Sequence, residues 1–244
     1  MAWYDHEELK NPEHRSTRYK FTFSTYYSTK ELQDEWDSLN ETQRHEYIDV
    51  TPRWLLDQVS MHSGGAIGAD SFFGACARAV GHRVIHHSFE GHATKVPINE
   101  IYRHSQHDLE EATLATVLAA QVLQRNLGKD QYVKKLILRN SLTIKHASIV
   151  FAVGYINRDG IKGGTAWGVA IAAQDKIPTY VYDMNTRCWY SYILDDNKLK
   201  SIPVTGDNLL IRNADYAGIG SRKLTEDGEQ AIKNLYVRYL NEKH

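Results

Sequence analysis

The sequence contains very little cysteine: only Cys76 and Cys188 among 244 residues, with no CxxC pair. A disulfide framework needs several cysteines, and cysteine-based zinc sites need closely spaced ones. We therefore expect two reduced thiols, and neither a disulfide scaffold nor a zinc site built on cysteine.

Long apolar runs are also missing. No segment approaches the ~20 apolar residues that a membrane-spanning helix requires. The N-terminal stretch MAWYDHEELKNPEHR is polar and charged, unlike a secretion signal. These absences predict a cytoplasmic protein without a membrane partner.

The chain lacks an excess of positive charge. It carries 29 Lys and Arg against 30 Asp and Glu, for a formal net charge of -1. Proteins that bind long nucleic acids usually show a basic excess or stripe, so a nucleic-acid partner is disfavoured. A small phosphate-bearing ligand is not disfavoured, because backbone amides bind phosphate without any net positive charge.

What the sequence does have is a repeated order of strand, turn and helix. This order predicts a single α/β domain with a Rossmann-like, mostly parallel sheet flanked by helices. The predicted strands are residues 57–62, 82–88, 148–153, 177–182 and 215–219, and the predicted helices are residues 71–80, 131–144, 166–174 and 225–240. Gly81 is expected to end the first of these helices, and Thr225 to cap the last.

The other segments have less regular patterns. Residues 1–56 form an N-terminal extension with a predicted strand over 18–27 and a predicted helix over 29–46. Residues 97–127 have a mostly helical pattern, and residues 186–213 look packed but irregular. We expect all of them to belong to the one domain.

Three glycine-rich turns each follow a predicted strand and precede a predicted helix. They are SGGAIGAD at 63–70, GGT at 163–165 and GIGSR at 218–222. Glycine allows close approach to the backbone, and the free amides of the following helix attract an anion. One such turn can be a ligand-free connection, but three on neighbouring parallel strands should converge on one crevice.

The predicted binding residues come from these turns and from one helix. Arg222 offers a cation whose geometry suits phosphate. Asp70 could accept hydrogen bonds from ribose or serve the helix dipole, and Arg139 could reach an anion or end a helix. The full predicted ligand-binding set is Ser63, Gly64, Gly65, Gly68, Asp70, Arg139, Asn140, Gly163, Gly164, Thr165, Gly218, Gly220, Ser221 and Arg222.

The twelve histidines do not form a convincing metal-binding pattern. His86 and His87 are adjacent on a predicted strand, which should direct them to opposite faces of the sheet. No set of cysteines or carboxylates completes a tetrahedral site, so we expect no metal. Glu90 and His92 follow that strand and are candidate catalytic residues by position only.

These motifs resemble the SLOG group of Rossmann-like proteins. The resemblance is carried by SGGAIGAD, Arg139-Asn140, GGTAWGVAIA with IPTYVYD, and GIGSR, and it covers residues 57–184 and 214–240. The group includes lonely-guy phosphoribohydrolases, the DNA-processing protein A domain, putative molybdenum-cofactor carriers and uncharacterised phage proteins, and the phage proteins are the most similar. The resemblance implies a nucleotide-like ligand, and it makes a homo-oligomer an expectation because members are often dimers.

The order of the motifs differs from the usual order in that group. There the GIGSR strand opens the domain, whereas here it comes last, so the chain looks circularly permuted. Such an order is acceptable because the termini of compact domains often lie close together. It predicts that strand 215–219 lies beside strand 58–62.

The resemblance leaves four functions open, of which single-stranded DNA handling, as in DNA-processing protein A, is the weakest because of the near-neutral charge. The first is binding of a nucleotide, ADP-ribose or an NAD-derived signal, without a certain cofactor. The second is N-glycosidase or phosphoribohydrolase activity on nucleoside monophosphates, but Gly168 stands where those enzymes carry a glutamate. The third is transport of a molybdopterin-like cofactor.

Overall fold

The computed structural model describes residues 59–212 and 214–242. The predicted strand 18–27 and helix 29–46 lie outside these residues. Within them, the α/β fold with a mostly parallel sheet is confirmed. No helix in the described part of the chain combines the length and the apolar character needed to cross a membrane.

Ten strands and six α-helices make up the described fold. The strands are β1 (Ser60–Ser63), β2 (Arg83–Phe89), β3 (Ile101–His104), β4 (Ile149–Gly154), β5 (Ile156–Asn157), β6 (Gly160–Ile161), β7 (Thr179–Asp183), β8 (Cys188–Asp195), β9 (Lys198–Val204) and β10 (Tyr216–Gly220). The α-helices are α1 (Ala69–Ala79), α2 (Gln106–Glu111), α3 (Thr113–Leu123), α4 (Gln131–Ile144), α5 (Thr165–Gln174) and α6 (Glu226–Glu242).

Eight strands form one sheet in the order β3-β2-β1-β10-β4-β7-β8-β9. The first six run parallel, and β8 and β9 are antiparallel at one end. The predicted neighbour of the first strand is confirmed, since Met61 pairs with Tyr216 and His62 with Ala217. Strand β10, the last strand in the described part of the chain, therefore lies between β1 and β4 within the sheet.

Helices cover both faces of this sheet. On one face, α1 and α6 pack over a core that includes Phe73, Phe151 and Tyr216. On the other face, α5 lies on the sheet, and α3 and α4 pack against α5. Every residue of α5 except its last is buried, as expected for an apolar helix enclosed between a sheet and other helices.

The predicted helix ends are confirmed where a side chain or glycine determines them. Gly81 follows α1 with a positive φ of 80°. Thr225 precedes α6, and its hydroxyl accepts a hydrogen bond from the amide of Gly228 at 3.2 Å. Both observations match the local rules for helix termini.

One sequence prediction was right only in part, and another was wrong. The segment 97–127 is mostly helical, since it contains α2 and α3, but it begins with a 3₁₀ turn and strand β3, because a four-residue strand is too short to produce a recognisable alternation. The segment 186–213 is not irregular, because it contains the β8–β9 hairpin. Its turn residues Asp196 and Asn197 both have positive φ, which is the geometry that closes a two-residue hairpin.

His86 points towards α1 and is fully buried, as the predicted alternation along β2 requires. A Cβ at Gly74 would lie 2.5 Å from its Nε2, and Glu100 lies 3.7 Å away. Burial, reinforced by Arg78 and Arg139, lowers the pKa of His86 to about 3. The imidazole is therefore neutral in the folded protein at pH 7.

The burial of His86 predicts a loss of stability in acid. The unfolded chain takes up a proton at its ordinary pKa of about 6.5, whereas the folded chain does not, so stability falls as pH decreases below that value. Between pH 7 and pH 5 this group should lower the free energy of unfolding by about 2 kcal/mol. Urea unfolding at several pH values across this range should show the loss. The drop in the free energy of unfolding between pH 7 and pH 5 should be smaller in His86→Leu than in the control His107→Gln, which alters an exposed histidine.

Candidate functional site

A cavity of about 550 Å³ lies at the carboxyl ends of the central strands. Its size falls within the range of small-molecule sites. It is lined by Ala66 and Asp70 after β1, by Ile219, Gly220, Ser221 and Arg222 at and after the end of β10, by Tyr155, Lys162, Gly163, Gly164, Thr165 and Trp167 around the start of α5, and by Arg125, Val133, Leu136, Ile137, Arg139 and Asn140 from α4 and the segment before it. All three predicted glycine turns thus contribute to one cavity.

The cavity occupies the point where the chain reverses its direction across the sheet. From β1 the connection through α1 leads outwards to β2, and from β4 the connection through α5 leads the opposite way to β7. Strand β10 lies between them. Open parallel sheets bind their ligands in the crevice at such a switch point.

Two of the turns are joined directly by hydrogen bonds. The amide of Ala69 donates to the carbonyl of Ser221 at 3.0 Å, and the amide of Gly220 donates to Oδ1 of Asp70 at 2.9 Å. Gly68 allows this approach, because its φ of 101° is unfavourable for other residues and a Cβ there would lie 2.4 Å from the Ser221 carbonyl oxygen. The turns after β1 and β10 therefore form one rigid corner.

A buried ion pair supports this corner. Nη1 of Arg139 lies 3.8 Å from Oδ2 of Asp70, and both side chains are more than nine-tenths buried. Burial raises the pKa of Asp70, while Arg139 and the Gly220 amide oppose that rise. Nε of Arg139 is also buried and has no hydrogen-bond partner among the described residues.

Gly64 provides the space for that arginine. A Cβ at this position would lie 1.3 Å from Nη1 of Arg139 and 2.5 Å from Oδ2 of Asp70. The glycine is therefore required by the close approach of the guanidinium group. It determines where Arg139 lies, although it does not itself line the cavity.

The start of α5 is more accessible than the start of α1. In α1 the first amide already donates to Ser221, and the amide of Ser71 donates to Ala66. At α5, Gly163 and Gly164 are exposed, and a Cβ on either would meet no other atom within 4 Å. An anion in the cavity would therefore find open backbone at α5.

Asn140 fixes the position of the α5 turn. Its side-chain amide donates to the carbonyl of Gly164 at 3.2 Å, which connects α4 to the GGT segment. Arg139 and Asn140, predicted as a pair, thus hold two different turns. Arg139 supports the corner after β1 and β10, and Asn140 supports the turn before α5.

The β5–β6 hairpin stands beside the cavity and is attached to the end of β7. Asp183 is buried, and its Oδ1 accepts hydrogen bonds from the amides of Ile156 at 3.0 Å and Asn185 at 3.1 Å. Asn185 donates in turn to the carbonyl of Ile156. Tyr155 and Lys162, which flank the hairpin, are thereby placed in the cavity wall.

Positive charge dominates the cavity. Four cationic side chains line it, against the single carboxylate of Asp70. They are Arg125, Arg139, Lys162 and Arg222. Arg125 donates to the carbonyl of Ile161, and Arg222 is exposed.

Several predicted site residues lie elsewhere. Ser63, Gly64, Gly65, Gly68 and Gly218 do not line the cavity. The hydroxyl of Ser63 donates to the carbonyl of Asp70, and a Cβ on Gly65 would face His86 and Val96. Gly218 faces Phe73 in the core. These residues therefore contribute to the local packing and backbone geometry and not to the cavity wall.

The two candidate catalytic residues are also outside the cavity lining. Glu90 is exposed on the turn after β2, and His92 stacks on Phe89 with ring centroids 5.0 Å apart. Burial, with Arg139 and Arg222 nearby, lowers the pKa of His92 to about 4. It is neutral at physiological pH, and its ring packs against Phe89 and does not line the cavity.

Sequence reasoning did not single out nine lining residues: Ala66, Arg125, Val133, Leu136, Ile137, Tyr155, Lys162, Trp167 and Ile219. Lys162 and Trp167 lie within two residues of the GGT turn, and that proximity was the available signal. Arg125 follows the end of α3 and reaches the site only through tertiary packing, so no local pattern indicates it.

No protein-family model, curated protein or solved structure matches the chain.

Proposed function

We propose that this cavity binds a small, phosphate-bearing, nucleotide-like molecule. The main support is the convergence of four cationic side chains and the open start of α5 on one cavity that holds a single carboxylate. Helix N-termini and guanidinium groups both favour phosphate. The resemblance of the turns to those of SLOG proteins points to the same class of ligand.

Two groups of lining residues suit the two parts of such a ligand. Gly163, Gly164 and Arg222 offer backbone amides and positive charge for the phosphate. Val133, Leu136 and Ile137 on α4 provide an apolar surface for a base or another flat group. Small-molecule sites commonly combine an apolar wall with a few polar groups that set orientation.

The lining offers little support for glycoside hydrolysis. Its one carboxylate, Asp70, already accepts a hydrogen bond from Gly220 and faces Arg139. A side chain at Gly168 would lie 2.5 Å from Cδ1 of Ile219, so that position is committed to packing between α5 and β10. We therefore propose binding rather than turnover.

Thermal unfolding with added ligands tests the proposal. AMP, NAD and ADP-ribose are the probes, with adenosine as the control that lacks phosphate. A ligand at 100 times its dissociation constant should add about 2.7 kcal/mol to the free energy of unfolding. If none of the three phosphate-bearing compounds stabilises the protein, the proposal is wrong.

Two further arms separate the alternative functions. Protein-dependent release of free base from nucleoside monophosphates would instead establish the hydrolase function. Stabilisation by a phosphorylated pterin, with no response to the nucleotides, would establish the carrier function.

Arg222→Ala is expected to weaken nucleotide binding without unfolding the protein. The side chain is exposed, so its removal should change stability little, whereas a lost charge-assisted hydrogen bond to phosphate costs about 1.5 to 3 kcal/mol. That cost corresponds to roughly 10-fold to 100-fold weaker binding. Calorimetric titration with AMP should detect it.

Arg212→Ala is the matched control, because Arg212 is exposed and does not line the cavity. The affinity of the Arg212→Ala variant for AMP should equal that of the unchanged protein. Equal losses in both variants would mean that Arg222 contributes only to the overall charge.

A further inference from the structure

The cavity contains more positive charge than its own residues neutralise. Four cationic side chains line it, and its one lining carboxylate, Asp70, lies 3.8 Å from Arg139. Asp70 therefore offsets the charge of Arg139. Arg125, Lys162 and Arg222 form no ion pair with any carboxylate in the described part of the chain. Three positive charges thus remain unmatched in one cavity.

Two of the four cations lie at the corner formed by the turns after β1 and β10. Burial lowers the pKa of Arg139, Asp70 opposes that change, and the charge of Arg222 adds to it, so the two guanidinium groups are neighbours. The side chain of Arg139 is more than nine-tenths buried, and its Nε has no hydrogen-bond partner among the described residues. The corner therefore offers the guanidinium group of Arg222 and a spare donor behind it.

The other two cations lie at the β5–β6 hairpin. Nη2 of Arg125 donates to the carbonyl of Ile161 at 2.9 Å, and Lys162 is the next residue. This bond leaves most of the five N–H donors of the guanidinium group available. The hairpin is anchored on β7, because Oδ1 of Asp183 accepts from the amide of Ile156 at 3.0 Å. The guanidinium group of Arg125 and the backbone that carries Lys162 are therefore in place before any ligand binds.

The order of the strands separates these two pairs of cations. Strand β10 carries the corner, β4 lies next to it, and β7, which anchors the hairpin, lies beyond β4. Neighbouring strands are about 4.8 Å apart, so the two supports are separated by about 10 Å. A phosphate held at Arg222 therefore leaves Arg125 and Lys162 available for a second anionic group.

The charge of a phosphate ester leads to the same conclusion. A phosphate monoester carries a charge of about −1.5 to −2 at pH 7. One such group does not neutralise three cations. A second phosphate linked to the first supplies the missing negative charge, and each cation then acquires a partner, as charged groups removed from water require.

We propose that the preferred ligand of the cavity carries two linked phosphates. The first lies between Arg222 and the start of α5, and the second lies at Arg125 and Lys162. This inference rests on the proposed function, to which it adds the number of phosphates and their positions. The apolar surface of α4 remains available for the base.

Calorimetric titration of the full chain with AMP and ADP, in the presence of EDTA, tests the inference. The second phosphate of ADP gains charge-assisted hydrogen bonds that AMP cannot make, so ADP should bind about tenfold more tightly or better. Equal affinities for AMP and ADP would overturn the inference and leave the proposed function intact. Binding of neither compound, nor of NAD or ADP-ribose, would overturn both.

Lys162→Ala locates the second phosphate. Lys162 is exposed, so the melting temperature without ligand should not change. The affinity of this variant for ADP should fall about tenfold, while its affinity for AMP should change by less than about twofold. Arg222→Ala should weaken the binding of both compounds. Equal losses for AMP and ADP in Lys162→Ala would mean that all the cations serve a single phosphate, which would overturn the inference.

Two matched variants serve as controls for Lys162→Ala. Lys162→Arg retains the positive charge and should retain the preference for ADP. Lys198→Ala removes an exposed lysine of β9 that does not line the cavity, so both affinities should stay unchanged. A loss of ADP affinity in Lys198→Ala equal to that in Lys162→Ala would show that the preference depends on overall charge, and the assigned position of the second phosphate would be wrong.

ADP-ribose distinguishes two sources of a diphosphate. In ADP the second phosphate is terminal, whereas in ADP-ribose it also carries a sugar. Given a preference for ADP over AMP, both possible results support two phosphates. An affinity for ADP-ribose equal to that for ADP would assign the cavity to a bridging diphosphate, and an affinity close to that for AMP would assign it to a terminal one.

Discussion

Gly64→Ala is expected to be among the most damaging single substitutions in the protein. The new Cβ would coincide with the guanidinium group of Arg139, so either the arginine or the turn must move. Separating Arg139 from Asp70 leaves a buried charge without its partner, at a cost of about 3 to 5 kcal/mol. The melting temperature should fall by on the order of 10 °C, and AMP binding should be lost with the corner that shapes the cavity.

Gly164→Ala is the control for this result. Gly164 has helical backbone angles, and a Cβ there meets open space, so the melting temperature should change little. An unchanged melting temperature for Gly64→Ala itself would mean that Arg139 does not occupy the place described above.

Arg139→Met should have an effect of similar size for a complementary reason. It removes the cation and leaves the Asp70 carboxylate buried, which again costs about 3 to 5 kcal/mol. The double variant Asp70→Asn/Arg139→Met has no buried charge, and its asparagine oxygen can still accept from the Gly220 amide. It should recover part of the loss, with a coupling energy of about 1 to 3 kcal/mol.

The pH dependence of that loss provides an independent check. Without Arg139, the folded-state pKa of Asp70 should rise further above its unfolded value. A protonated Asp70 needs no partner, so the deficit relative to the unchanged protein should shrink as pH falls from 8 to 5. Urea unfolding of both proteins at each pH measures it, and a deficit that is constant across this range would contradict the role assigned to the pair.

Local patterns were sufficient to predict the central sheet and its turns. An apolar run such as SIVFAV at 148–153 indicates a strand, and the glycines that follow a strand indicate where it ends. The pairing of 215–219 with 58–62 was predicted from the expected resemblance to SLOG proteins, which implied a permuted order of the motifs. The observed register between β1 and β10 confirms that prediction.

The finer roles of the site residues could not be predicted from the sequence. Gly64 and Gly65 are equivalent in the motif, yet one faces Arg139 and the other faces His86, because the backbone turns between them. The contacts of His87 with His62 and with His104 were missed for a similar reason. These histidines lie 25 and 17 residues from His87 in the sequence, and the pairing of β1, β2 and β3 brings them together.

The central position of β10 has a consequence for folding during synthesis. Until residues 216–220 have left the ribosome, strands β1 to β3 are separate from strands β4, β7, β8 and β9, and each group has an unpaired edge where β10 will later insert. Non-local strand pairing of this kind is slow and exposes apolar surface while it is incomplete. The sheet can therefore close only after residues 216–220 have been translated, and shielding of those two edges by a chaperone would matter most before then.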